Sequence, residues 1–135
     1  TDSEDLFALV CYFLGEKEDL FSPQELLKAL MQTISFVNDL QRKASLKPDS
    51  LLNLLLCDGG KCIVATRFAS SLDEIPISLY YSVHYPDVEK KGVVTICSEI
   101  LSDSEESQWQ EVPNNHFIIA QANKEVEMGK IIIDD

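Results

Sequence analysis

The spacing of apolar residues changes once along the chain, near residue 50. Before that point apolar residues recur every three or four positions, as on one face of a helix. Beyond it they form short runs separated by turn-forming residues, a pattern typical of strands. Because the helical part precedes the strand part, the sequence predicts an α+β fold with two helices followed by five or six mostly antiparallel strands.

Both helices have start signals. The first is predicted over residues 2–14, with Gly15 ending it. The second begins at Ser22 as N-cap, followed by Pro23, and Glu25 completes a capping box. Its apolar stripe extends to about residue 42. The stripes comprise Leu6, Leu9, Val10 and Phe13 in the first helix, and Leu26, Leu27, Leu30, Ile34, Val37 and Leu40 in the second.

The strand region opens with a hairpin signal. "SLLNLLLC" and "CIVATRF" read as strands, and "DGGK" between them predicts a tight turn. Further strands are predicted in "ISLYYSVH", "GVVTICSE", "HFIIAQAN" and "KIIIDD", with residues 125–128 as a candidate short strand between the last two. "GVVTICSE" is almost entirely apolar, so we expect it to be buried on both faces.

Size and charge limit the classes of partner. A chain of 135 residues suits one domain. The net charge of −12 argues against nucleic acid or an anionic membrane surface as the main partner. The longest apolar runs fall far short of the ~20 residues of a membrane helix. The acidic start shows no signal-peptide pattern, so we expect a cytoplasmic protein.

The four cysteines give no metal-binding pattern, since they form no CxxC pair and neither His84 nor His116 has metal-ligand spacing. We therefore expect the protein to bind neither a metal nor a cofactor. Both histidines are expected to lie at strand ends or in loops, and the cysteines to be mostly buried and reduced. A disulfide between Cys57 and Cys62 is the alternative, because the Gly59-Gly60 turn would place them opposite each other.

The opening "TDSE" permits three interpretations. Thr1 and Glu4 fit a capping box, and an acid at position 2 suits the positive end of a helix. Asp2 could also bind a substrate. Thr1 could be an N-terminal nucleophile, but such a residue begins a strand, whereas every local signal here predicts a helix. We therefore do not expect Thr1 to be catalytic.

Three segments occur together in a recognisable order: "TDSE" at a helix start, "LLNLLLCDGGKCIVATRF" ending in Arg67-Phe68, and "CSEIL" followed by Trp109 and "VPNN". They resemble the C-terminal half of class II glutamine amidotransferase domains, which are N-terminal-nucleophile hydrolases, and most closely the glutathione-degradation subfamily. The resemblance covers nearly the whole chain. It implies that residues 1–135 are the C-terminal portion of such a domain and form part of an αββα four-layer sandwich.

The resemblance also implies a substrate contact. Asp2 would bind the α-ammonium group of glutamine or of a γ-glutamyl peptide, as a carboxylate can do through a charge-assisted hydrogen bond. The family's nucleophilic cysteine and its Asn-Gly oxyanion hole would lie upstream of "TDSE", and neither is in this chain. We thus expect no catalytic residue here and an inactive isolated chain, whose partner is the missing N-terminal half or another protein chain.

A second hypothesis is an amidotransferase-like fold that has lost its chemistry and serves as an interaction or scaffold subunit.

Four other features have structural interpretations. Arg67 is expected to pair with a carboxylate, Cys97 to lie in an apolar strand, Trp109 to anchor the acidic "SDSEESQ" loop, and Asn114-Asn115 to form a turn.

Overall fold

The computed structural model describes residues 1–46, 50–71, 73, 75–84, 92–100, 108–122 and 124–133. Within them two helices precede seven strands, each paired antiparallel to its neighbours. The helices are α1 (Asp2–Leu14) and α2 (Pro23–Ala44). The strands are β1 (Leu54–Cys57), β2 (Cys62–Arg67), β3 (Tyr80–His84), β4 (Val93–Cys97), β5 (Trp109–Glu111), β6 (His116–Gln121) and β7 (Glu127–Lys130). The α+β class is confirmed, with more strands than the five or six expected.

Capping boxes fix the starts of both helices. The Thr1 hydroxyl accepts a hydrogen bond from the Glu4 N–H at 3.4 Å. In α2 the Ser22 hydroxyl accepts from the Glu25 N–H at 3.1 Å, and the Glu25 carboxylate accepts from the Ser22 N–H at 2.6 Å. These contacts satisfy N–H groups that have no partner within the helix, and they confirm both predicted starts.

The β1–β2 hairpin is confirmed, but its register is not the one expected. One carboxylate oxygen of Asp58 accepts hydrogen bonds from three successive N–H groups of the turn, those of Gly60, Lys61 and Cys62, at 2.8–3.0 Å. This turn places Cys57 opposite Ile63 rather than opposite Cys62. Because a shift of one residue reverses the face, Cys57 is exposed, Cys62 is buried, and both thiols are free.

The helices pack on one face of a four-stranded sheet with strand order β1-β2-β6-β7. Val10 of α1 and Leu30 of α2 form a buried cluster with Val64 of β2 and Ile119 of β6. These side chains come from both helices and from the two central strands, so this cluster holds the helical layer against the sheet.

The opposite face of that sheet packs on a second, three-stranded sheet with the order β4-β3-β5. Ala65 of β2 and Ile118 of β6 form a second buried cluster with Leu79, Tyr81 and Val112. Alternate residues of the central strands therefore face the helices and the second sheet. The layer order of the described residues is helices, sheet, sheet.

Two strand predictions need correction. "GVVTICSE" is not buried on both faces: β4 lies at the edge of the three-stranded sheet, pairs only with β3, and leaves Val93 51% exposed. "KIIIDD" is not the last strand, because β7 occupies Glu127–Lys130 and Ile131 follows it into a cluster with Ile34 and Phe68. Short strand β5 was not predicted at all.

Candidate functional site

Asp2 is the first residue of α1, and its side chain is exposed. Thr1 and Glu4 form the capping box, so the Asp2 carboxylate takes no part in capping the helix. Within the part of the chain that the structure describes, no cation or N–H group lies within hydrogen-bond distance of this carboxylate. The carboxylate lies at the positive end of the helix dipole. The arrangement leaves an accessible carboxylate that can accept hydrogen bonds from an ammonium group.

The grooves found among the described residues do not include Asp2. One of about 480 Å³ runs along α2 beside Phe13 and Phe36. A second, of about 360 Å³, lies beside the hairpin turn and includes Lys61. A third, of about 500 Å³, lies between the start of α2 and the β6–β7 connection. Asp2 lines none of these three grooves.

Arg67 donates three hydrogen bonds from its buried guanidinium group. Its Nη1 donates to the Glu111 carboxylate at 3.0 Å and to the Val112 carbonyl at 2.7 Å. Its Nη2 donates to the Pro76 carbonyl at 3.2 Å. The predicted carboxylate partner is thus Glu111. Because Arg67 belongs to β2 whereas its partners border the second sheet, its guanidinium links the two sheets.

Two of the four cysteines differ from the expectation of burial, whereas Cys62 is buried and Cys97 is partly buried. Cys11 and Cys57 are exposed, since Cys11 lies on the outer side of α1 and Cys57 ends the edge strand β1. Cys97 ends β4, and its thiol donates to the Glu99 carbonyl at 2.8 Å. Burial raises the pKa of Cys97, and burial, with the nearby Asp58 and Cys57, raises the pKa of Cys62. The environment of Cys97 therefore does not favour a nucleophilic thiolate.

The histidines lie at strand ends, as predicted. His84 ends β3 and is exposed, while His116 begins β6 with its Nδ1 2.7 Å from the Asn114 carbonyl oxygen. Among the described residues, no group of three or more His, Cys, Asp or Glu side chains could hold a metal ion.

Asn115 has a role that the sequence analysis missed. The predicted turn is confirmed, with Asn115 in the left-handed region at φ 57°. Its side-chain oxygen accepts from the Ala69 N–H at 3.0 Å, and its carbonyl accepts from the Ile131 N–H at 2.8 Å. It therefore joins the chain segments after β2 and β7. The available signal was the residue type, since Asn adopts the left-handed conformation more readily than most residues.

Trp109 begins β5 and is half-buried, and its indole N–H has no partner among the described residues. Whether it anchors the acidic segment stays untested, because residues 101–107 lie outside the described residues. Neither helix that the structure describes is long and apolar enough to cross a membrane.

Comparison with known proteins finds no matching family model, no matching curated protein and no matching solved structure.

Proposed function

We propose that residues 1–135 are the C-terminal part of a glutamine amidotransferase-like domain that hydrolyses a γ-glutamyl amide, with Asp2 binding the α-ammonium group of the substrate. The observation that carries this proposal is that the residues which cap α1 are different from the residue that presents an exposed carboxylate. Thr1 and Glu4 cap the helix, while the adjacent Asp2 carboxylate remains exposed and without a partner among the described residues. Capping and substrate binding can therefore coexist in one motif.

The layer order gives further support. Helices, sheet and sheet are compatible with three layers of an αββα sandwich. Tyr81 faces the four-stranded sheet, so the side chains that alternate with it, such as Tyr80, face away from it. Val93 on the adjoining strand is half-exposed. In the proposed domain, the second helical layer would come from the upstream half and cover this face.

The chain's contribution to the reaction would be recognition rather than bond breaking. In the complete domain the upstream cysteine would attack the γ-amide carbon and release ammonia from glutamine, or the amine of the remaining peptide from a γ-glutamyl peptide, and water would then release glutamate. Asp2 would hold the head group common to glutamine and γ-glutamyl peptides. A hydrogen bond to a charged group is worth about 1.5–3 kcal/mol, which corresponds to a change of about 10- to 100-fold in binding. We place this activity in the cytoplasm, where the nucleophilic cysteine would stay reduced.

The test compares Asp2→Asn with Asp5→Asn in the complete protein, because both carboxylates are exposed in the same helical turn. For glutamine and for glutathione, Asp2→Asn should raise KM about 10- to 100-fold with little change in kcat, whereas Asp5→Asn should behave as wild type. For glutaramic acid, which lacks the α-ammonium group, Asp2→Asn should change nothing.

Equal kinetics of wild type and Asp2→Asn with glutamine would show that Asp2 has no role in substrate binding and acts only at the start of the helix. A complete protein that binds stably in an assembly but hydrolyses neither glutamine nor glutathione would favour the scaffold hypothesis. Hydrolysis by the isolated 135-residue chain would contradict both hypotheses.

A further inference from the structure

The outer side of α1 is apolar and uncovered. Val10 is buried against α2 and the sheet. On the other side of the helix Phe7 is 59% exposed and Tyr12 is 78% exposed, with Ala8 and Cys11 exposed between them. These four residues form two adjacent i,i+4 pairs, and we call them the α1 patch.

A helix that is apolar on all sides is normally buried on all sides. The side of α1 that carries Val10 meets this expectation, whereas the α1 patch does not. Leu20, in the loop that follows α1, is another large apolar residue and is 85% exposed. Contiguous exposed apolar surface of this kind marks an interaction site. The proposed second helical layer would lie on the far side of the two sheets, so it would not cover this patch.

Acidic residues border the patch at both ends of the helix. The first turn carries Asp2, Glu4 and Asp5, and the following loop carries Glu16, Glu18 and Asp19. Lys17 is the one basic residue in this loop, and its Nζ is 2.9 Å from the Glu25 carboxylate. The patch is therefore an apolar stripe between two negatively charged ends.

This charge pattern disfavours a second copy of the chain. If two α1 helices paired antiparallel, the acids of each first turn would face the acids of the partner's following loop. If they paired parallel, like ends would meet. Either arrangement brings like charges together at both ends, on a chain whose net charge is already −12. An anionic membrane surface is disfavoured for the same reason.

We propose that the α1 patch docks a basic amphipathic helix of a partner protein. The partner helix carries apolar residues at i, i+3 or i+4, and i+7, which pack on Phe7, Cys11 and Tyr12 as ridges into grooves. Lysine or arginine residues before and after that stripe face the two acidic ends. The length of α1, roughly 20 Å, allows contact over three to four turns of such a helix.

The patch contains its own reporter. Cys11 lies within it, and Cys57, at the end of β1, is an exposed thiol elsewhere that serves as an internal control. The probe is a synthetic amphipathic peptide of roughly 18 residues, or five turns, with leucine on one face and lysine on the other. A twin peptide carries glutamate in place of lysine. Alkylation of each thiol in the intact chain is followed by mass spectrometry.

The lysine peptide should slow alkylation of Cys11 at least about tenfold, leave Cys57 unchanged, and lose this effect as salt is raised. The glutamate peptide should protect neither thiol. Absence of Cys11 protection, equal protection of both thiols, or protection by the glutamate peptide would overturn the proposal.

Substitutions provide an independent readout. The double variant Phe7→Ser/Tyr12→Ser removes the two largest side chains of the patch, and Ile77→Ser alters another exposed hydrophobic residue, 66% exposed, before β3. The lysine peptide should bind the double variant at least about tenfold more weakly and bind Ile77→Ser as it binds wild type, measured by fluorescence anisotropy.

Equal binding to all three proteins would overturn the proposal. So would a dimer of the chain in sedimentation that the double variant abolishes, or binding to phosphatidylserine vesicles that requires the patch. Asp2 is one of six acidic residues at the two ends of the patch, and none of these readouts measures amidohydrolase activity, so failure here is separable from failure of the proposed function.

Discussion

Arg67 and Glu111 form an ion pair whose two members differ sharply in burial. Their Nη1 and Oε1 atoms are 3.0 Å apart, yet the Arg67 side chain is 7% exposed and that of Glu111 is 56% exposed. The exposed carboxylate is largely screened by water. The buried guanidinium also satisfies the carbonyl groups of Pro76 and Val112. We infer that Arg67 stabilises the fold mainly through these carbonyls rather than through the charge of its partner.

The two members of this pair should thus respond differently to substitution. Arg67→Met should lower the free energy of unfolding by about 2–4 kcal/mol, because buried carbonyl groups lose their donor. Glu111→Gln should cost less than about 1 kcal/mol, as surface ion pairs do. Urea unfolding of both variants measures the difference. Comparable losses would show that the ion pair itself matters most.

Gly129 leaves room for an aromatic ring. A Cβ atom at this position of β7 would lie 2.7 Å from the Phe117 ring. Phe117 packs against the buried cluster that contains Val64 and Ile119 and against the one that contains Ile34 and Phe68. Gly129→Ala should therefore destabilise the protein by about 1–3 kcal/mol. Gly60→Ala is the control, because nothing lies within 4 Å of its Cβ position. Thermal unfolding should separate the two variants, and the added substitution Phe117→Leu should recover part of the loss at Gly129.

Asn115 combines a backbone requirement with a side-chain contact, and two substitutions separate them. Asn115→Gly tolerates the positive φ but loses the hydrogen bond to the Ala69 N–H, at a cost of about 1 kcal/mol. Asn115→Ala loses the contact and also strains the backbone, so it should cost about 1 kcal/mol more. Chemical denaturation measures both. An alanine variant as stable as the glycine variant would contradict the role of φ.

The features predicted correctly depend on residues close together in the chain. Both helix starts follow from contacts between residues three apart, and the hairpin follows from a four-residue turn. Fold class followed from the change of period. The hairpin register was wrong by one residue, because the sequence pattern did not show that Asp58 would bind three N–H groups of the turn and lengthen it.

The features that sequence reasoning missed depend on which elements become neighbours. An apolar segment such as β4 can be central or at an edge, and only the sheet order decides between them. The partner of Arg67 lies 44 residues away, and the 23 acidic residues of the chain offered no means of choosing Glu111. At the candidate site, the helix start and its cap were predictable from Thr1 and Glu4, whereas binding by Asp2 stays a prediction because its ligand is not part of the chain.

The cap of α2 should be sensitive to acid. Hydrogen bonds from Lys17 and from the Ser22 N–H lower the pKa of Glu25 to about 2 from an ordinary value of 4.5. A carboxyl group whose pKa is lower in the folded state contributes stability that is fully present above its unfolded pKa and is lost as the pH falls through its folded pKa. The contribution of Glu25 should therefore decline from about pH 4.5 down to about pH 2.

Carboxyl-carbon NMR titration can follow Glu25 directly in the wild type and in Lys17→Met. Removing Lys17 eliminates the largest cause of the shift, so the Glu25 pKa should move back towards its ordinary value while the Ser22 N–H bond keeps part of the effect. Ser22→Ala is the complementary variant and should cost about 1 kcal/mol near neutral pH, because the Glu25 N–H then loses its cap. An unchanged Glu25 pKa in Lys17→Met would assign the acid sensitivity of this helix start to the backbone contact alone.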